Sequence, residues 1–203
     1  ADENLNPIPN HPDALATYEY SADGKTLTIT LRDDAYWHNG EKVTPEDIKW
    51  SIEFVAKTPV ANAVFISTFS AIADSKTGDT FNDTFSGIAI DGQKIIITFD
   101  KIAPDALLTF TQFAPVPKSE FEGIDPLQVQ QAPFFQHPIG CGPFMVEEVN
   151  MKNYPILAPF DKYYNGVADF KIQLLPSAGD SDPNVVTRAK SGNLDYGYTK
   201  MVA

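Results

Sequence analysis

The stretch "LRDDAYWHNGEKVTPEDIKWS", residues 31–51, decides much of the fold because it runs from the end of a strand into a helix. Residues 26–32 overlap the start of this stretch and alternate threonines with leucine and isoleucine, which predicts a half-buried strand. Asn39-Gly40 predicts a turn, since both residue types tolerate positive φ. Thr44, followed by proline and two acidic residues, predicts a capped helix start.

Apolar residues spaced along the following segment predict how that helix packs. Ile48, Ile52 and Val55 continue one apolar face, and the helix is expected to end near Thr58-Pro59. Residues 86–99, "SGIAIDGQKIIITF", predict a hairpin that turns at an Asp-Gly pair.

The rest of the chain mixes helix, strand and long irregular segments. We expect a short helix over 104–113 and an irregular connection over 122–143 that is functional or covers something. A lead-in over 1–15 is expected to be extended, and a last helix begins at Asp182-Pro183. Further strands are predicted in "PFMVEEV" (143–149), "DFKIQLLP" (169–176) and "LDYGYT" (194–199). The expected fold class is mixed α and β, with an α+β appearance.

Composition narrows the class of partner. The net charge is −12 and 43% of the residues are hydrophobic, so a globular chain that repels phosphate backbones is expected, and nucleic acid is excluded as a partner. A single cysteine, Cys141, allows no internal disulfide. No run of 18 apolar residues occurs, and Ala1-Asp2-Glu3 carries neither an initiator Met nor a signal peptide. The start of the chain is therefore expected to be processed or cut.

Two histidine arrangements are candidates for chemistry, and both have a structural alternative. His38 lacks further ligands at metal-binding spacing, so we expect no metal site, and Trp37 to Gly40 is interpreted as a structural corner. Cys141 lies four residues from His137, which leaves a Cys-dependent hydrolase open as a hypothesis. The alternative is that Cys141 is a small residue in a tight glycine turn. No catalytic residue and no cofactor are predicted.

Taken together, several of these features resemble the extracytoplasmic solute-binding proteins of ABC importers, in the subfamily that binds oligopeptides, dipeptides and nickel (family 5). "PIGCGPFMVEEV" is similar to its glycine turn and following strand, with Cys141 between Gly140 and Gly142 where Thr or Ser is usual. "DKYYNGVADFKIQLLP…VVTRAKSGNLDYGY" follows it in the family's order and is similar to the family's aromatic-Gly, strand and helix sequence, and "APVPKSEF", earlier in the chain, is similar to a loop common in the group. The stretch "YEYSADGKTLTITLRDDAYWHNGEKVTPEDIKWSIEFV" (residues 18–55) resembles the strand-turn signature of the family. The matching positions in it are Asp23-Gly24, Leu31-Arg32, Asp34, Trp37, His38, Asn39, Gly40 and Thr44 to Asp47.

The resemblance implies an architecture and a function. Residues 1–203 would be a partial first (N-terminal) lobe of a two-lobed, type II periplasmic-binding-protein-like fold, with the second lobe absent. The protein would be a monomer that binds a peptide or a similar small solute and delivers it to an ABC transporter membrane permease for import. It would be extracytoplasmic, either lipid-anchored at the cell surface or periplasmic. Alignment with peptide-binding relatives suggests ligand contacts at Phe69, Gln112 and Phe113.

Alternatives to each expectation remain open at the level of sequence. Phe69 is equally compatible with an ordinary core position, and Gln112 with a solvated helix position. The function itself has an alternative, a surface sensor or interaction domain that keeps the solute-binding fold without transport. An exposed apolar patch without a ligand cleft would favour that alternative.

Overall fold

The computed structural model describes residues 8, 10–59, 61, 63–148, 154–175, 177–179 and 182–197. The strands are β1 (Ala16–Tyr20), β2 (Thr26–Leu31), β3 (Lys76–Thr77), β4 (Thr80–Phe81), β5 (Ile88–Asp91), β6 (Lys94–Thr98), β7 (Phe144–Glu148), β8 (Ile156–Pro159) and β9 (Ile172–Gln173). The helices are α1 (Pro45–Ala56), α2 (Ala63–Ser70), α3 (Ala106–Gln112) and α4 (Pro183–Lys190). The architecture is mixed α and β, as predicted.

A four-stranded antiparallel sheet, in the order β1-β2-β6-β5, forms the centre of the larger region. The strand predicted over 26–32 is confirmed as β2, and the hairpin predicted over 86–99 is confirmed as β5 and β6. Gly92 takes the positive φ (57°) that the hairpin turn requires. Leu27, Ile95 and Ile97 are fully buried on the inner face of the sheet. Helices α1, α2 and α3 contribute to the same core.

Helix α1 begins as the sequence predicts. The Thr44 hydroxyl accepts a hydrogen bond from the Asp47 N–H (3.2 Å), and the Asp47 carboxylate accepts one from the Thr44 N–H (3.0 Å). This reciprocal pair is a capping box, worth about 1 kcal/mol for the capping residue alone. Ile48 and Ile52 are buried and Val55 is half-buried, which confirms the predicted apolar face.

Helix α2 is a structural feature that the residue pattern did not indicate. Its β-branched residues Val64, Ile66 and Thr68 alternate along the chain, a spacing more typical of a strand than of a helix. Contacts with α1 and α3 stabilise it as a helix, and its Phe69 ring is fully buried against Phe110 of α3 and Phe113. The predicted helix over 104–113 is confirmed as α3.

The irregular connection after residue 121 covers the outer face of α1. It contains two short 3-10 segments, Pro126–Gln131 and Pro133–Gln136. Phe121 lies between Phe54 of α1 (ring centroids 5.4 Å apart) and Phe134 (4.7 Å), so a second small core forms there. The expectation that this segment covers something is therefore confirmed.

The second sheet, β7-β8-β9, is smaller and less buried than the first. Every described side chain of its strands is half-buried or exposed. The predicted strand over 143–149 is confirmed through Glu148, and helix α4 begins after Asp182 as predicted. The strand predicted over 169–176 is real but shorter, limited to β9.

One predicted strand is wrong where it can be assessed. Residues 194–197 form no strand, because they continue as bends after the end of α4 and pair with no neighbouring strand among the described residues. Residues 198–199 of that prediction, and residues 1–7 and 9 of the predicted lead-in, lie outside the described residues. Residues 12–15 of the lead-in form turns and bends, so this part is not extended as predicted.

Candidate functional site

A cavity of about 610 Å³ lies where the start of β1, the inner face of the first sheet and helix α3 meet. Its size is within the range of small-molecule pockets, which is about 300–1,000 Å³. Strand alternation positions the walls, because inward residues of β1 lie opposite inward residues of β2. The main wall residues are Leu15, Tyr18, Ile29, Leu31, Phe110 and Phe113.

The tyrosine at the end of β1 holds α3 over this cavity. The Tyr20 hydroxyl accepts a hydrogen bond from the Leu107 N–H (3.2 Å) and donates one to the Ala103 carbonyl (3.4 Å). Burial raises the pKa of the Tyr20 hydroxyl, so the group keeps the proton that it donates. The two bonds fix the first turn of α3 relative to β1.

Strand β1 is an edge strand, and its main chain borders the cavity. The Arg32 N–H donates to the Leu15 carbonyl (3.2 Å) at one end of the β1–β2 pair. Since main-chain groups alternate in direction along an antiparallel strand, Ala16 and Tyr18 direct their N–H and C=O groups away from β2. An extended peptide could pair with such an edge while its alternate side chains enter the cavity.

Polar groups lie at the rim of the cavity near the start of β1. Asp13 and His11 both contribute to the rim, and the Asp13 N–H donates to Nδ1 of His11 (3.2 Å). Both side chains are exposed, with relative accessibilities of 52% and 45%. The site therefore combines an apolar interior with a small polar entrance, as ligand pockets usually do.

The structure separates the three residues that the resemblance suggested as ligand contacts. Phe113 is half-buried and lines the cavity, whereas Gln112 is exposed and is not part of its wall. Phe69 lies behind Phe113, with ring centroids 5.5 Å apart, and is 0% exposed. Its ring has no surface free to touch a solute in this arrangement, so Phe69 takes the core position that the sequence left open.

The quartet from Trp37 to Gly40 forms one tight corner. Trp37 is 1% exposed, and its indole N–H donates to the Asp47 carboxylate (3.3 Å) at the start of α1. The Gly40 N–H donates to the Trp37 carbonyl (2.8 Å), with Gly40 at φ +88°. Asn39 closes the turn, since its side-chain carbonyl accepts from the Glu41 N–H (3.0 Å).

His38 connects this corner to the glycine turn before β7. The Gly140 N–H donates to Nδ1 of His38 (3.0 Å), and Nε2 lies 3.0 Å from the Gly142 carbonyl. The ring also packs edge-on against Phe160, with centroids 4.9 Å apart. Burial lowers the pKa of His38 below its ordinary value.

The surroundings support neither His38 as a metal ligand nor Cys141 as a nucleophile. Within the described ranges, no group of three or more His, Cys, Asp or Glu side chains is placed to hold a metal ion. Burial raises the pKa of the Cys141 thiol, which is the opposite of the shift that activates a nucleophile. The imidazole that binds the residues on both sides of Cys141 is His38, and both of its nitrogens are already engaged.

Comparison with known proteins decides the family. A model of the bacterial extracellular solute-binding proteins, family 5 Middle, matches residues 11–199. The chain belongs to this family. The membership agrees with the residue motifs that first suggested it, and members of the family bind solutes for ABC transporters.

Among curated relatives, this family 5 chain is 26% identical over 188 residues to a putative ABC transporter peptide-binding protein of Brucella ovis, covering 92% of this chain and 33% of the relative. The solved structure of NikZ from Campylobacter jejuni, in complex with Ni(L-His), matches with a TM-score of 0.67 and 25% identity, over 90% of this chain and 34% of that one. The Escherichia coli murein tripeptide-binding protein MppA matches with a TM-score of 0.70 and 24% identity, over 89% and 36%, which shows the shared fold.

The chain therefore spans about a third of the length of the relatives that it matches. Among its described helices, none combines the length and the apolar character needed to cross a membrane. The cavity walls from β1 and α3 were missed by sequence reasoning. The alternation in "ATYEY" (residues 16–20) was the available signal for β1, but nothing local pairs it with Phe110.

Proposed function

We propose that this chain contributes part of the first lobe of an extracytoplasmic protein that binds a peptide or a similar small solute for an ABC importer. The family match over residues 11–199 carries this proposal. Under this proposal, the solute-bound protein delivers its solute to the membrane permease, and no covalent chemistry is required.

The edge of β1 and the neighbouring cavity support a peptide as the solute. An extended peptide would pair with the outward N–H and C=O groups of Ala16 and Tyr18. Its alternate side chains would then enter the apolar cavity beside Phe113. Main-chain pairing recognises any extended peptide, so such a site would tolerate many sequences.

The exposure of the second sheet supports the proposal of a partial lobe. Phe170 is 57% exposed and Leu174 is 46% exposed on either side of β9, and no described side chain of β7, β8 or β9 is fully buried. Apolar sheet faces of this kind are normally packed against a further layer. We infer that this layer belongs to the remainder of a longer polypeptide, whose second lobe closes over the solute by a hinge motion.

The family supports a proposal for where the protein acts. We propose an extracytoplasmic monomer, periplasmic or lipid-anchored at the cell surface. A net charge of −12 disfavours nucleic acid as a partner.

Calorimetric titration of a mixed di- to hexapeptide pool tests this function. The pool is added to the 203-residue chain and to a longer polypeptide that contains it, and we expect the longer polypeptide to bind more tightly. Thr111, an exposed residue of the cavity wall, is replaced in T111W to fill the cavity. Thr80, an exposed residue of β4, is replaced in T80W as the matched control.

The outcomes separate the candidate functions. A loss of affinity of about tenfold or more in T111W, with T80W unchanged, would support the cavity as part of the site; tenfold corresponds to about 1.4 kcal/mol. Equal affinity of the two variants would remove the cavity from the site. If no peptide binds either polypeptide, the peptide assignment fails, and nickel chelates, glycans and a sensor role with a protein partner are the next tests.

A further inference from the structure

His38 holds together two parts of the molecule that are distant in sequence. It belongs to the corner that precedes α1, and its partners Gly140 and Gly142 lie more than 100 residues later, just before β7. Three hydrogen bonds join the two segments: those of the two ring nitrogens, and one from the His38 N–H to the Gly140 carbonyl (2.8 Å). The contact does not involve the cavity beside β1.

The hydrogen bonds determine which nitrogen carries the proton. The Gly140 N–H can only donate, so Nδ1 of His38 must accept and carries no proton. A neutral imidazole then has its proton on Nε2, which donates it to the Gly142 carbonyl (3.0 Å). Both nitrogens are satisfied in the neutral ring only.

A second proton on the ring would have to bind Nδ1, which already accepts the hydrogen bond from the Gly140 N–H. Protonation would put a hydrogen on Nδ1, where it would face the Gly140 N–H at a nitrogen–nitrogen distance of 3.0 Å. Two donors would then oppose each other, and the bond to Gly140 would be lost. The bond from Nε2 to Gly142 would remain available in the charged ring.

The surroundings of His38 offer little compensation for a positive charge. On the corner, the Glu41 carboxylate is engaged by the Asn39 amide (2.9 Å) and the Ser119 hydroxyl (3.1 Å). On the glycine turn, the titratable group is the Cys141 thiol, whose pKa burial raises, so that it stays neutral.

The segment after β8 adds one group of each sign and two tyrosines. Asp161 and Lys162 follow Phe160, the residue whose ring packs on His38. The ammonium of Lys162 lies 5.4 Å from the centre of the Tyr36 ring, on the same corner as His38. The pKa of the Tyr164 hydroxyl is raised, chiefly by burial, so this group also stays neutral. Asp161 and Lys162 balance each other in formal charge, and burial dominates the environment of His38.

We propose that His38 is a pH-sensitive clasp that couples the Trp37–Gly40 corner to the Gly140–Gly142 turn when its ring is neutral and releases Gly140 when the ring gains a proton. The four-stranded region and the β7-β8-β9 region would then be tightly joined at neutral pH and more loosely joined in acid. The clasp stands whether or not the cavity binds a solute.

Nitrogen-15 NMR of the 203-residue chain between pH 7.5 and 4.5 tests the clasp. At pH 7.5 we expect the Nε2–H form of His38 and a scalar coupling between the Gly140 amide nitrogen and Nδ1 across the hydrogen bond. As His38 titrates, the coupling should disappear. The protection factor of the Gly140 amide against hydrogen exchange should fall by about fivefold or more. This is the change in the opening equilibrium expected from losing the net free energy of one hydrogen bond. An Nδ1–H form at pH 7.5, or unchanged Gly140 protection after His38 has titrated, would overturn the proposal.

Two substitutions assign the effect to His38. In H38A, the Gly140 amide should exchange rapidly at both ends of the pH range, and its pH response should vanish. His11 is an exposed histidine whose ring interacts with Asp13, two residues away, so H11A should keep the wild-type response of Gly140. A wild-type response in H38A would contradict the proposal. If H38A does not fold, the wild-type titration together with H11A still decides the question.

Discussion

The first sheet and the second sheet have the same kind of antiparallel pairing but very different burial. In the four-stranded sheet, Leu27, Ile95 and Ile97 are 0% exposed beneath α1, α2 and α3. In the β7-β8-β9 sheet, every described side chain is half-buried or exposed, although β7 and β8 pair along most of their length. The difference between the two regions is therefore one of coverage and not of hydrogen bonding.

This comparison indicates where the stability of the chain resides. Main-chain hydrogen bonds contribute only about 1 kcal/mol each in net terms, because the unfolded chain bonds to water instead. Burial contributes about 25 cal/mol per Å² of apolar surface, and of the two sheets only the first has fully buried apolar side chains among its described strand residues. We expect the first region to resist unfolding more strongly than the second.

The largest effect is expected from truncating an aromatic residue in the covered region. Phe69→Ala removes a ring that packs against Phe65, Phe110 and Phe113, and should lower the free energy of unfolding by about 3–5 kcal/mol. Phe170→Ala, at a 57% exposed ring beside the second sheet, is the matched control and should cost less than about 1 kcal/mol. Urea unfolding followed by circular dichroism measures both, and similar losses would remove the contrast between the regions.

Leucine truncation sharpens the same comparison within the strands. Leu27→Ala, in β2, should cost about 2–5 kcal/mol, because the fully buried site cannot fill the cavity that the substitution leaves. Leu157→Ala, in β8, removes the same atoms from a half-buried site and should cost clearly less. A larger loss for Leu157→Ala in the same unfolding assay would show that the second sheet is the more tightly packed.

A smaller effect is expected at Arg32, which joins the two regions. Its guanidinium lies 3.6 Å from the centre of the Tyr164 ring, pairs with Asp34, and donates to the Pro12 (3.2 Å) and Ala14 (3.3 Å) carbonyls. Arg32→Lys keeps the charge but loses the planar fork, and should cost about 0.5–2 kcal/mol.

Hydrogen exchange measured by mass spectrometry checks the location of that loss. Exchange in Arg32→Lys should rise around residues 160–166, whereas the β2–β6 pair should stay protected. Lys25→Arg is the matched control for a charge-preserving change at an exposed position in the turn before β2. Unchanged exchange at 160–166 in Arg32→Lys would show that Arg32 does not join the regions.

The smallest effect is expected from pH. Because burial lowers the pKa of His38 below 6.5, the unfolded chain takes up the proton before the folded chain does. The contribution of His38 to stability is therefore fully present above pH 6.5 and is lost as the pH falls through the folded-state pKa. Urea unfolding between pH 7.5 and 5 should show this decline, and H38Q should flatten it. A decline of the same size in H38Q would assign it to other groups.

Several elements could be predicted because their signals are local. The cap at Thr44, the turn at Gly92 and the alternation in β2 each need only a few neighbouring residues, and the structure confirms all three. The family was also accessible from sequence, since its motifs lie in order along the chain. Helix α2 was not, because its alternating β-branched residues favour a strand until α1 and α3 enclose it.

The candidate site was only partly accessible from sequence. Phe113 was suggested as a contact and lines the cavity. Phe69 lies behind Phe113, and Gln112 is not part of the cavity wall. Gln112 and Phe113 are adjacent in sequence, whereas Phe69 lies more than 40 residues earlier. Which of them faces a cavity depends on how α3 sits against β1, and the Tyr20 hydroxyl, 87 residues before Leu107, fixes that placement.

By itself, the sequence determined the local turns, the capped helix, the hairpin and the family, because caps, turns and alternation act over a few residues. Tertiary structure alone decided that β1 and α3 enclose a cavity and that Phe69 is buried. It also decided that His38 engages the turn around Cys141. These outcomes depend on contacts between segments 40 to more than 100 residues apart, whose geometry is set when the apolar faces pack together and not by any local pattern.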